Sequence, residues 1–537
     1  MSKTTRGIRN QGQAGQPDVG LVEKAPEKSP HQGQALAALT AIYLVIPGVL
    51  FAWGWLRWPY AVITTVLISI FIFIAGRDAW RAWNDSQTRV AARTALKVLW
   101  PALLLLAAWV ACSGIGGFGQ QSGDYKSHNA LLSDLISESW PVWILFEGTQ
   151  ANIVYYVGYY LPAAAIGKVF GWGTANVFML LWGFLGASLA FLWFWLVSGV
   201  WARWGALLSL ALVFCLASGM DVIGYYLYKS NPFVWGKHIE HWAKYIQFSS
   251  QTTLLYWVPQ QVLAAWLIAG MTFAGLQDAR LFRYLGMAVG ASILWSPFGV
   301  IGIAPFLLVA GLAQLLRKQA RTFFQPLSLA MNVASLWVGG IHLLYISSNQ
   351  LDFPIGLLWN LVKDRREYIL TASVFWTLEL GLFVILAAVL RQAIRRAGRV
   401  PETVLGQDIQ GQWVFLLVAT LFLSILPLFK MGYSNDLVMR GSIPALFFLW
   451  AFAGRAWIDA WPHLRKKAVA VPFTLLTLIL LTGSYTSLSE IQRSIRSYHF
   501  GPPDIANVLT ITTATDPHIV AQRIGQEDTF FYEHLGR

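Results

Sequence analysis

Charge is what this sequence has least of. Asp, Glu, Lys and Arg together make up 12% of 537 residues, about half the share usual in a soluble domain. Hydrophobic residues make up 56%, and mean hydropathy is +0.52. A soluble fold of this composition would lack the polar surface to cover its core, so a soluble globular enzyme is excluded. A disordered chain is excluded too, because disorder needs low hydrophobicity. Cysteine is nearly absent. Cys112 and Cys215 both lie in apolar runs and define neither a disulfide framework nor a Cys-x-x-Cys metal site. A Walker loop, a Gly-x-Gly-x-x-Gly turn after a strand and a Ser-His-Asp order are also missing, so ATP-driven transport and dinucleotide chemistry have no support. The net charge of +13 is no nucleic-acid footprint, since the basic residues fall between apolar stretches, where they set membrane orientation.

Those apolar stretches are what the chain has in abundance. Runs suited to helices lie at 36–56, 59–76, 97–113, 174–199, 204–217, 256–275, 284–298, 300–316, 326–346, 371–390, 412–429, 441–457 and 469–485. They predict an all-α, polytopic membrane helix bundle of about thirteen transmembrane helices, with interfacial helices in its first outer loop. Residues 1–35 read as a disordered cytoplasmic tail, 36–485 as the membrane domain and 486–537 as a C-terminal tail outside. The first run exceeds a signal-peptide h-region and lacks a small-residue cleavage pattern. With the N-terminus in the cytoplasm, inner loops hold nineteen Lys and Arg, from Arg77 to Lys467, and outer loops hold eleven. That bias predicts a multi-pass protein of the plasma (inner) membrane, N-terminus inside and C-terminus outside.

The inner loops are short and basic. Three outer segments, 114–173, 218–255 and 348–370, are long and varied, so function is expected on the outer face. The first opens Gly114-Ile-Gly-Gly-Phe-Gly119 and continues Gln120-Gln-Ser-Gly-Asp124-Tyr-Lys126-Ser-His128-Asn129. Glycines let the backbone leave a helix and approach a ligand closely. Asp124 is the first carboxylate past that exit. It fits the N-cap of an amphipathic surface helix over 129–138 and also a general base kept ionised by basic neighbours, two roles that do not exclude each other. Trp140-Pro-Val-Trp143 follows, and then Tyr155-Tyr-Val-Gly-Tyr-Tyr-Leu-Pro162, whose tyrosines and proline suit an interface. A second surface helix is therefore expected over 153–170.

Asp221 opens the second outer segment, as a second carboxylate or a helix-end turn. His238 and His241 have the i, i+3 spacing of metal ligands, but without a third ligand nearby they read as a polar face. Lys363-Asp-Arg-Arg366 is a solvated run or a phosphate contact. Arg440 stands alone at the outer end of an apolar helix, beside Asp436. Within the spans, ionisable residues such as Glu379 are few.

The glycine exit, the early Asp, the surface helices, the Tyr/Pro stretch and the Phe-Gly before the next span resemble the GT-C superfamily of polytopic membrane glycosyltransferases. So does Asn435-Asp436-Leu-Val-Met-Arg440-Gly-Ser-Ile-Pro444-Ala-Leu, which is similar to the Arg-x-x-x-Pro-x-Leu start of a late helix in those enzymes. The resemblance covers about 114–175 and 434–450. The Asp loop follows the third helix here instead of the first, as an added N-terminal hairpin over 36–76 would produce, and no named family within the superfamily is indicated.

The resemblance implies transfer of a sugar from a polyprenyl-phosphate-linked donor to an acceptor, by an inverting-like displacement at the outer membrane face. It implies Asp124 as the catalytic residue and Lys126, His128, Asn129 and Arg440 as substrate- and phosphate-binding residues, with Asp221 as a second carboxylate. No cofactor is required with certainty, and a divalent metal is left open. The expected partners are the lipid-linked donor, an unidentified acceptor and membrane lipid, without nucleic acid. A polysaccharide polymerase or ligase and a membrane transporter are the alternatives.

Overall fold

The computed structural model describes residues 32–146, 149–229, 235–349, 354–398, 409–432, 434–505, 507 and 523–537. Most of the predicted 1–35 tail lies outside these residues. The remainder, from Gln32, is already helical.

The chain is an α-helical bundle. In order, α1 spans Gln32–Trp55, α2 Trp58–Asn84, α3 Ser86–Ala111, α4 Tyr125–Ser137, α5 Leu161–Ser198, α6 Trp204–Leu216, α7 Asp221–Tyr228, α8 Gln251–Trp257, α9 Pro259–Gln277, α10 Phe282–Ser292, α11 Pro297–Leu316, α12 Pro326–Ser347, α13 Leu358–Leu361, α14 Arg365–Trp376, α15 Leu382–Ala397, α16 Ile409–Ile425, α17 Asp436–Gly441, α18 Ile443–Ala460 and α19 Lys467–Arg496. Among the described residues, eleven helices are long and apolar enough to cross a membrane, which makes this a multi-pass membrane protein. Helices are the fitting solution, because a span in lipid must satisfy every backbone polar group within itself.

Helix α2 shows how one sequence serves two surroundings. Ala61, Thr64, Ile68, Phe71 and Ala75 recur every three or four residues and are buried, while Val62, Val66, Ile70 and Phe73 turn outward, Phe73 at 71% exposure. Outward apolar side chains on this scale suit lipid and would be a liability in water. Helix α18 is the reverse case. Nearly every one of its residues is buried, and it forms the centre of the bundle against α5, α6, α9, α11, α15, α16 and α19.

Thirteen spans were expected from hydropathy, and the two that fall short are α9 and α10. Helix α9 is long enough but opens with Gln260 and Gln261, which dilute its hydropathy. Helix α10 has 11 residues, about 16 Å of rise, less than the hydrocarbon core.

The helix ends nonetheless alternate between two faces. On one face the main chain of Arg537 donates to Trp55, Gly119 to His499, Gly158 to Leu294 and Gln526 to Ser348. On the other, Arg283 and Tyr284 bond Asp78, Arg317 bonds the Leu276 carbonyl, Gln412 bonds the Val197 carbonyl, and buried Arg455 bonds the Ser198 and Gly199 carbonyls while pairing with Asp459. The first face carries the long connections and the C-terminus. The second carries the start of α1.

Two small sheets lie among the long connections. In the first, β1 (Trp143–Phe146) pairs antiparallel with β2 (Thr149–Ile153), and β2 pairs with β5 (Ile524–Gly525), in register Ile153 with Ile524. In the second, β3 (Ile355–Leu357) pairs antiparallel with β4 (Phe429–Met431).

Three local expectations change. The first surface helix is α4, which starts four residues earlier than the amphipathic stretch indicated. The second, over 153–170, is not a separate element. Ile153 ends β2, residues 154–160 are not helical, and Leu161–Phe170 forms the start of α5, broken from the span by Gly171 at φ 83°, ψ 175°. Lastly, α19 continues to Arg496, well past the expected end at 485.

Candidate functional site

The glycine-rich exit turns on residues that a side chain would block. Gly116 has φ +67°, and a Cβ there would stand 2.2 Å from the Asn176 carbonyl oxygen of α5. Gly117 has φ +85°, and its Cβ would meet the Gly501 carbonyl oxygen at the same distance. The loop is thus pressed between α5 and the C-terminal segment, as only glycine permits. Asn129 holds the far side. Its amide exchanges hydrogen bonds with Gln121, whose Nε2 also donates to the Gly114 carbonyl at 2.9 Å.

Asp124 opens α4 but does not cap it. Its backbone is already helical, and its carboxylate accepts no capping hydrogen bond. It remains half-buried at the rim of the bundle. One turn on, and on the same side of the helix, is His128, 6% exposed. The His128 Nε2 lies 2.9 Å from the Trp257 carbonyl, and Nδ1 lies 2.6 Å from the Tyr160 hydroxyl. A carbonyl can only accept, so Nε2 carries the proton and Nδ1 accepts from Tyr160. Burial pushes the imidazole pKa down, the Asp124 carboxylate and the Trp257 carbonyl oppose this, and Arg523 and Arg440 push further down, to about 4. The ring is neutral at pH 7.

Lys126 is exposed and, two residues from Asp124, points to the opposite side of α4. Arg440, in α17, is 9% exposed, and its buried Nε has no hydrogen-bond partner among the described residues. Arg440 also acts on Tyr155 and Tyr156, two stacked rings 4.5 Å apart whose hydroxyl pKa values burial raises. Of the residues singled out from the sequence, Asp124 and Arg440 both act electrostatically on the buried His128 and on Tyr155. Asn129 braces the glycine loop, and Lys126 faces away.

The structure adds Arg523, which sequence reasoning missed. Its guanidinium lies over the Tyr155 ring, 5.2 Å from the centroid, and its buried Nη1 also has no partner among the described residues. A single arginine in a tail without hydropathy pattern carries no signal of its own. The tyrosines were visible only as an interfacial stretch.

Between His128, Tyr159, Tyr160, Asn176 and Pro259 is a cavity of about 20 Å³, room for a water but not for a sugar. Among the described residues, Tyr159 Oη and Asn176 Oδ1 have no partner there, as a bound water would explain.

Asp221 is held elsewhere. It is 1% exposed and accepts hydrogen bonds from Ser218, Trp242 and Thr486. Buried Glu379 lies close by, tucked against the Gly219 backbone in the π-turn Thr377–Gly381. His238 bonds Glu490 at 3.0 Å and stacks with His241, rings 5.6 Å apart. Burial lowers the His238 pKa, but Glu490 and Glu240 outweigh it and leave a net rise. Trp257 joins the two regions, its carbonyl serving His128 and its indole nitrogen donating to Glu490 at 3.2 Å. Among the described residues, no group of three or more His, Cys, Asp or Glu side chains is arranged to hold a metal. No family model, curated protein or solved structure matches the chain.

Proposed function

We propose that this protein is a GT-C-type membrane glycosyltransferase. It moves a sugar from a polyprenyl-phosphate-linked donor to an acceptor at the face that carries the long connections. The observation that carries the reading is that Asp124, a carboxylate not used as a cap, and buried Arg440, whose Nε lacks a partner among the described residues, both act on His128 and Tyr155.

The acceptor hydroxyl oxygen forms a bond to the anomeric carbon as the bond from that carbon to the phosphate oxygen breaks. Asp124 takes the hydroxyl proton, a general-base step. The phosphodiester becomes a phosphomonoester and gains one negative charge, and Arg440 stabilises that charge where it develops. His128, with both nitrogens engaged, touches no substrate. It fixes α4 against Trp257 and Tyr160 and so positions Asp124. Asn129 steadies the glycine loop in the same way.

The nineteen-to-eleven distribution of Lys and Arg supports a cytoplasmic N-terminus and an external site in the plasma membrane. The test is sugar transfer from a polyprenyl-phosphate donor by purified wild type and Asp124→Asn at equal protein amount. Loss of transfer in the variant supports the reading. Unchanged transfer removes Asp124 from the chemistry and favours a polymerase or ligase working through arginines. No transfer by wild type with any such donor sinks the proposal.

A further inference from the structure

The last fifteen residues are built into the bundle. Strand β5 adds to β2, the Val154 amide donates to the Arg523 carbonyl at 2.8 Å, and the Gln526 amide donates to the Ser348 carbonyl at 2.8 Å. Beyond them Phe531 packs against Phe51 and Tyr345, and Arg57 donates to the Gly536 carbonyl at 2.9 Å. The main chain of Arg523 is therefore pinned directly beside Tyr155, which sets its guanidinium over that ring.

Two arginines thus come from separate segments, one on α17 and one on the returning C-terminal segment. Each has a buried guanidinium nitrogen without a hydrogen-bond partner among the described residues. Carboxylates are at hand in Asp124 and Asp436. Yet among the described residues neither forms an ion pair with Arg440 or Arg523. Arg523 lies over Tyr155, whose ring stacks on Tyr156, and both guanidinium charges act on these tyrosines and on His128. Buried donors left open are costly unless a ligand fills them, and planar guanidinium groups match phosphate oxygens in geometry and charge.

We infer that Arg523 and Arg440 form a two-guanidinium clamp for the phosphate of an isoprenoid phosphate, so that the C-terminal segment completes the donor site. The inference rests on the proposed function for the identity of the lipid, but the clamp is read by binding and not by sugar transfer. Full-length protein in detergent micelles is titrated with a polyprenyl monophosphate and, separately, with inorganic phosphate, for wild type, Arg523→Gln, Arg523→Lys and Arg440→Gln. Melting temperature is recorded for each.

Arg523→Gln and Arg440→Gln should each weaken polyprenyl phosphate binding about tenfold or more, the effect of one charge-assisted contact. Arg523→Lys keeps the charge and the aliphatic packing on Tyr155 and should fall between wild type and Gln. If Arg523→Gln melts early, the Lys variant decides, because it preserves the docked strand. Wild-type affinity in Arg523→Gln, or in a Gln variant of Arg440, overturns the clamp. Binding of inorganic phosphate that polyprenyl phosphate does not displace overturns the lipid assignment. Intact lipid-phosphate binding without any sugar transfer by wild type would sink the proposed reaction and leave the clamp standing.

Discussion

The hydroxyl of Tyr160 lies 2.6 Å from Nδ1 of His128, while the Trp257 carbonyl engages the other ring nitrogen. Both ring nitrogens of a histidine that reads in the sequence as a substrate ligand are thereby engaged within the protein. That histidine becomes the strut that fixes the helix of Asp124.

That arrangement predicts a pH dependence. The folded-state pKa of His128 is lowered from 6.5 to about 4, so between these values the unfolded state binds more protons. His128 thus contributes stability that is present above pH 6.5 and is lost as pH falls toward 4, on the order of 3 kcal/mol in all. Melting temperatures of wild type and His128→Gln between pH 4.5 and 7.5 should converge as pH falls. Parallel curves would show that His128 does not titrate this way.

Asp124→Asn should lower transfer by roughly 10²–10⁴-fold, the usual worth of a general base. Because the carboxylate makes no capping bond, neither Asn nor Ala should change the melting temperature appreciably. A stability loss of about 1 kcal/mol in Asp124→Ala would mark a cap after all.

Asp221 should behave in the opposite way. It accepts three hydrogen bonds in the interior, and an amide in its place can accept on one oxygen only. Asp221→Asn should cost about 1–3 kcal/mol of stability. Transfer per folded molecule should stay near wild type, measured after correcting for the folded fraction. Loss of transfer at full stability would move Asp221 into the chemistry.

Single cysteines at the exposed positions Lys126 and Lys318 report the faces. An impermeant thiol reagent should label Lys126→Cys from outside intact cells and Lys318→Cys only after the membrane is opened. The reverse pattern would invert the orientation, and labelling of both from one side would contradict the alternation of helix ends.

Much of the bundle was legible in the sequence because lipid imposes a simple rule. A span must be apolar along its length, and a helix satisfies its own backbone, so composition alone marks α1, α5, α12 and α16. The rule weakens where a helix is covered by protein. Gln260 and Gln261 are tolerated in buried α9, α10 stops at 11 residues, and polar Ser487 and Glu490 continue α19 beyond the apolar run. The β2–β5 pairing is invisible to any local pattern, since two residues near the C-terminus make half of it.

The site divides along the same line. Sequence by itself determined that Asp124 follows a glycine exit and that Arg440 ends an apolar helix, because glycine and charge at a membrane boundary are local features. It could not say which neighbours those residues have. Tertiary structure decided that His128 is spent on Tyr160 and Trp257, that Lys126 turns away, and that Arg523 returns from the chain end to stand over Tyr155. Hydropathy reports each residue's preference for water or lipid and nothing of its partners. Those partners come from segments between 32 and several hundred residues apart, set side by side only when the helices pack.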